Sequence, residues 1–184
     1  MAWRAPRNAV REALAREKVP SALGPHREGW TLARVLVDGD AVLEPHGRAL
    51  VHLLADVARS LAAPGAGCLR TGRGGQRIVV CAGTGRAVQA DLPPLPAEGP
   101  VDHQPWLDLL RTLDHQDRVE AVLQALASGA GTGGSSGQDG WAGPLSDERP
   151  RRVATAAGLP AAVLDPDLAN EGDPSHANPG DLVA

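Results

Sequence analysis

The amino-acid sequence predicts an α+β fold: a small antiparallel sheet of two hairpins covered by helices, in the order α-ββ-α-ββ-αα, with a disordered C-terminal tail. Three observations carry this expectation. Leucine and valine recur at helical spacing between residues 50 and 61 and again between 106 and 126. Two short runs, Trp30 to Val37 and Arg77 to Ala82, have strand character and lead into tight-turn glycines. Beyond Ser128 large apolar residues are scarce, and residues 129–184 hold 10 glycines and 6 prolines, a composition that cannot offset the entropy of ordering. The expected division is an α+β domain over residues 1–128 and a Gly/Pro-rich acidic linker and tail over 129–184, largely disordered and dispensable for folding.

The first helix is expected from Pro6 to Lys18, since proline suits the first helical position and Ala9, Ala13, Leu14 and Ala15 favour the state. Offsets of three, four and seven would place Arg4, Arg7, Arg11 and Lys18 on one stripe. Pro20 and Gly24-Pro25 end it. Trp30 to Val37 alternates Thr31, Ala33, Val35 and Val37 on one side with Trp30, Leu32, Arg34 and Leu36 on the other. Asp38-Gly39 is a hairpin turn signal, with Ala41 to Glu44 expected to return as the partner strand.

A second helix is expected from Pro45 to Ala62, with Leu50, Leu53, Leu54, Val57 and Leu61 as its buried stripe and Arg48, His52, Asp56 and Arg59 opposite. Gly65 to Gly75 reads as a glycine-rich loop. Ile78, Val79 and Val80 form an apolar strand, Gly83-Thr84-Gly85 turns the chain, and Ala87 to Leu92 pairs back. A proline-rich connection follows, Pro93 to Pro100. In the last helical stretch Trp106, Leu109, Leu110 and Leu113 point one way, while Val119, Val122, Leu123 and Leu126 lie roughly 140° round the axis at ~100° per residue. One straight helix cannot satisfy both, so a break is expected near Asp114. Within the tail, Val153, Leu159, Val163 and Leu164 make a weak apolar patch able to fold against a partner.

Composition narrows the function classes. Phe and Tyr are absent, and the four aromatics are Trp3, Trp30, Trp106 and Trp141. There is one isoleucine, one lysine and one methionine, the skew of a GC-rich reading frame. A spurious frame with no function is therefore one alternative, opposed by the helical periodicity that stays in register with turns. No run approaches the ~18 apolar residues of a membrane span, and Arg4, Arg7 and Arg11 precede no signal-peptide core. No membrane association and a cytoplasmic location are expected. Residues 1–90 carry 13 basic against 7 acidic side chains and residues 91–184 carry 5 against 15, so the halves bear +6 and −10. That opposition suits a basic face for an acidic partner, or a basic domain attracted to its own tail.

Chemical motifs are sparse. Gly83-Thr84-Gly85 after a strand superficially resembles a phosphate loop, but the third glycine and the Walker lysine are missing, and a hairpin turn accounts for it better. The histidines at 26, 46, 52, 103, 115 and 176 form no zinc pattern. His103 and His115 could meet across the helix break; surface solvation is the simpler account. Cys68 and Cys81 match no disulfide or metal spacing and read as small buried apolar residues. Ser135-Ser136 lacks the strand a nucleophile elbow needs. No catalytic, metal or cofactor-binding residue is expected.

Arg4, Arg7, Arg11, Lys18, Arg70, Arg73, Arg77 and Arg86 are the candidate contacts to a partner or to nucleic acid, although interleaved aromatics for base stacking are lacking. The element order is similar to that of small chaperone-type and adaptor-type domains, a likeness of architecture over residues 5 to 127 that rests on no motif. The expected function is a non-enzymatic protein-interaction module with a regulatory tail, binding a protein partner. The alternative is a nucleic-acid-associated regulator using the basic N-terminal half.

Overall fold

Ala2 and Trp3 form the first strand, β1, and its place decides the topology. The computed structural model describes residues 1–18, 20–35, 43–70, 75–92, 101–127, 149–163 and 182–183. After β1 come α1 (Arg7–Arg16), β2 (Ser21–Arg27), β3 (Trp30–Val35), α2 (Leu43–Leu61), β4 (Gly65–Arg70), β5 (Gln76–Cys81) and β6 (Ala87–Leu92). The chain continues through α3 (Gln104–Leu113), a 3₁₀ turn at Gln116–Arg118, α4 (Val119–Ala127), α5 (Arg149–Ala157), a second 3₁₀ turn at Ala161–Val163 and β7 (Leu182–Val183). The strands form one antiparallel sheet in the order β6-β5-β4-β1-β3-β2-β7. The fold is thus α+β, with an antiparallel sheet covered by helices.

Both sheet faces are apolar because strand side chains alternate. Trp3, Leu23, Ala33, Val79 and Cys81 face α1 and α2, packing with Val10, Leu14, Leu54 and Val57. Trp30, Ala66, Ile78, Val80, Ala90 and Leu92 face the other way, against Trp106, Leu109, Leu110 and Val122 of α3 and α4. The alternation expected for Trp30 to Val35 holds. So does the break at Asp114, which adopts the left-handed region (φ 59°) and ends α3.

The second hairpin forms as expected. Ala82 N–H donates to Arg86 O and Gly85 N–H to Ala82 O, and Gly85 sits at φ 84°, where a side chain would be strained. The first hairpin differs. The partner of β3 is β2, which precedes it, joined by Glu28-Gly29 at φ 53° and 82°, a two-residue turn whose positive φ angles match the strand twist. Leu43 and Glu44, expected in the returning strand, instead begin α2; the Asp38-Gly39 turn lies outside the described residues. Helix α1 ends at Arg16, ahead of Pro20 and Gly24-Pro25; Gly24-Pro25 itself falls within β2 at a register shift between Leu23 and His26, where the missing proline N–H interrupts the ladder without breaking the strand.

Two further segments depart from the sequence reading. Gly65 to Arg70 is not a loop but the strand β4 between β1 and β5; Gly65 is required by close packing, since a Cβ there would come within 2.7 Å of Trp3 Cδ1. Residues 149–163, assigned by composition to the tail, belong to the folded unit: Val153, Ala154, Ala157, Leu159 and Val163 are buried in the α3/α4 layer. Of the apolar patch expected to await a partner, Val153, Leu159 and Val163 are covered by the chain itself, and Leu164 lies outside the described residues.

Candidate functional site

Among the described residues, the basic candidates singled out from sequence stand at both ends of the sheet rather than in one patch. Arg4 lies in the turn before α1, its N–H donating to Pro64 O, and Arg86 follows the β5–β6 turn, so both stand at the Gly65 end of β4. Arg77 stands opposite Leu69, about 14 Å along the strand at the usual rise per residue. Its guanidinium grips Asp91 through two bonds, of 2.7 and 3.2 Å. Arg7 turns its guanidinium onto Gly24 O and Leu23 O at 3.3 Å, so it ties α1 to β2. Arg11 lies on α1, Lys18 is exposed beyond its end, Arg70 closes β4, and Arg73 lies outside the described residues.

The remaining candidate chemistry resolves into structural contacts. Thr31 Oγ1 stands 2.8 Å from His26 Nδ1 and 2.7 Å from Ala5 O, a spacing suited to a nucleophile and base. The single hydroxyl proton must go to the Ala5 carbonyl, which can only accept, so His26 Nδ1 is the donor and cannot take a proton from Thr31. His115 Nδ1 donates to Ala157 O at 2.9 Å and Arg118 to Thr155 O at 3.3 Å, both satisfying carbonyls at the end of α5. His103 occupies the N-cap position of α3, makes no side-chain capping bond and is exposed. Among the described residues there is no group of three or more His, Cys, Asp or Glu placed to hold a metal, and neither Cys68 nor Cys81 is in a disulfide. No described helix is long and apolar enough to cross a membrane.

What remains is the sheet edge at β2, which sequence reasoning missed because β2 itself was not recognised. Its inner side is paired with β3, while its outer side receives β7 from the far end of the chain, in the register Ser21↔Val183 and Ala22↔Leu182. The acceptor stretch is short, since the irregularity at Gly24-Pro25 follows at once. Ser21, Ala22 and Leu23 are buried, Ser21 completely. Ser21 shares the α1 face with Leu23 and Val35, and its hydroxyl has no hydrogen-bond partner among the described residues. Helix α1 flanks the edge, touching both β2 and β7. The arrangement holds an extended backbone against the sheet. A local signal existed: Ser21 to Arg27 and Trp30 to Val35 flank a two-residue Glu-Gly turn.

Compared with family models, curated proteins and solved structures, the chain matches none of them.

Proposed function

We propose that this chain is a non-enzymatic interaction module that takes an extended segment of a partner protein as an added strand at the β2 edge, with its own C-terminal segment as resident competitor. One observation carries this reading. Leu182 and Val183, remote in sequence, pair with Ser21 and Ala22 as a strand. An edge that accepts one extended segment through backbone bonds accepts others of similar shape, and the flanking side chains set the preference. The basic residues, spread over both ends of the sheet and in part engaged by carbonyls and Asp91, give less support to a nucleic-acid face.

A tethered competitor acts at an effective concentration of roughly millimolar for a short connection, so the resident strand raises the apparent dissociation constant of any partner. The test is anisotropy of a labelled peptide copying residues 178–184, titrated with the full chain and with a Val183→Pro variant whose resident strand cannot donate its ladder bond. Tighter binding by the variant, about tenfold or more, is expected. Absence of peptide binding by both proteins refutes the reading. Steeply salt-dependent binding of DNA or RNA would favour the nucleic-acid alternative.

A further inference from the structure

The buried Ser21 hydroxyl states a preference that the resident strand does not meet. Ser21 is 0% exposed, and Oγ has no hydrogen-bond partner among the described residues. Its cross-strand neighbours on the two sides are Val35 and Val183, neither of which carries a hydrogen-bonding side chain. A buried hydroxyl that has given up water without gaining a partner is a standing cost. Residues directly opposite in an antiparallel pair share a face and lie near enough for Ser and Thr hydroxyls to bond each other. The position opposite Ser21 is therefore the one from which an added strand reaches the hydroxyl.

Resting on the strand-addition reading above, we infer that the partner segment carries a hydroxyl or amide side chain, Thr, Ser or Asn, opposite Ser21, with an apolar residue opposite Ala22. Such a segment satisfies Ser21 and also sets an apolar residue opposite Ala22, so it displaces the resident Leu182-Val183 pair, whose residue types supply only an apolar group at each position. The resident strand is thus a weak occupant by its chemistry: it covers the edge and yields to a segment that completes the hydrogen bond.

Threonine and valine have nearly the same shape, which isolates the hydroxyl. Two labelled peptides copying residues 178–184, one unchanged and one with Val183→Thr, are titrated with the full chain and with its Ser21→Ala variant. The full chain should bind the threonine peptide about tenfold more tightly, the worth of one satisfied buried hydroxyl. In Ser21→Ala the order should reverse, because the threonine hydroxyl then meets only carbon. If both peptides bind the full chain equally, the Ser21 preference is wrong and the strand-addition reading stands. If neither binds, the reading itself falls. Val183→Thr within the full chain gives a second measurement without altering Ser21. It should raise the melting midpoint and slow exchange of the Ser21 and Ala22 amides; an unchanged midpoint and exchange rate would overturn the inference.

Discussion

The Trp3 indole fills the space that a side chain at residue 65 would occupy. A Cβ on Gly65 would meet Trp3 Cδ1 at 2.7 Å, Trp3 Nε1 at 2.8 Å and Leu54 Cδ1 at 3.1 Å, while the indole N–H donates to Leu54 O at 3.3 Å. Trp3 on β1, Gly65 on β4 and Leu54 on α2 are fitted as a unit. Gly65→Ala should therefore destabilise by about 2 kcal/mol, the range of overpacking a tight core. Gly67→Ala, whose Cβ would sit at an ordinary 3.5 Å from Leu54 and Met1, should cost less than 1 kcal/mol, about the limit for a tolerated change. Urea unfolding of both variants makes the comparison.

Leu54 is 1% exposed, and Leu54→Asp puts a carboxylate in the apolar layer between α2 and the sheet. A loss above about 4 kcal/mol, or failure to fold, is expected. Arg59, exposed and paired with Asp56 at 2.9 Å, should tolerate Arg59→Asp with a loss of about 0.5 kcal/mol from a surface pair turned repulsive. Equal losses in the two variants would contradict the described orientation of α2.

Stability should depend on pH through the Met1 amine, which donates to Ala33 O. Burial lowers its pKa from 8.0 to about 6, partly opposed by Cys68. Between those values the unfolded chain holds a proton that the folded chain does not, so stability is full above pH 8 and falls as pH drops toward 6. The loss is on the order of 3 kcal/mol at 1.36 kcal/mol per unit. The buried Cys81 thiol, pushed from 9.0 up to about 11 by desolvation, acts in the opposite sense: the folded chain keeps a proton the unfolded chain loses, and stability falls as pH rises from 9 to 11. Denaturant midpoints from pH 5.5 to 11 should trace a dome with its top between pH 8 and 9.

Removing residues 129–184 should abolish cooperative melting, contrary to what the composition of that stretch suggests. The deletion takes away Val153, Ala154, Ala157, Leu159 and Val163 and uncovers Val122 and Leu126, and it unpairs His115 from Ala157. Each buried valine or leucine so lost is worth about 1.5–3 kcal/mol, and several together are comparable to a typical domain's whole stability. Calorimetry of chains ending at 128 and at 163 checks this: the shorter should show no transition, and the longer should melt within several degrees of the full chain.

Binding to nonspecific DNA or RNA at about 0.15 M salt should be weak for the full chain. Phosphate contacts draw affinity from gathered cations. Here Arg77 is held by Asp91, Arg7 by two carbonyls, and Arg4 and Arg86 stand at the opposite end from Arg77. Anisotropy at two salt concentrations is the measurement; tight binding with a steep salt slope would reverse the assignment.

What was legible in the chain follows local chemistry. The α2 stripe, the alternation from Trp30 to Val35, the break at Asp114 and the Gly83-Thr84-Gly85 turn are each written in a few consecutive residues. The misread elements owe their state to distant partners. Gly65 looks like a loop residue until Trp3 and Leu54 are seen to fill the place of its side chain. Gly24-Pro25 hides β2, because a glycine-proline pair reads as punctuation until β3 is seen to pair on both sides of it. Helix α5 is hidden because the glycines and prolines around it dominate the average over 129–184. The candidate site is hidden for the same reason: the β2 edge arises from distant pairing, whereas arginines stand out by composition and a buried serine carries no local signal.

The central position of β1 bears on how the protein emerges during synthesis. Ala2 and Trp3 are made early, yet their partners Thr31, Leu32, Gly65 and Ala66 lie far downstream. At roughly 5–20 residues per second, the first strand waits for several seconds outside the ribosome with its tryptophan uncovered, and neither half of the sheet can be joined to the other until β4 arrives. The opening residues of this chain are therefore those most in need of shelter while the rest is being translated.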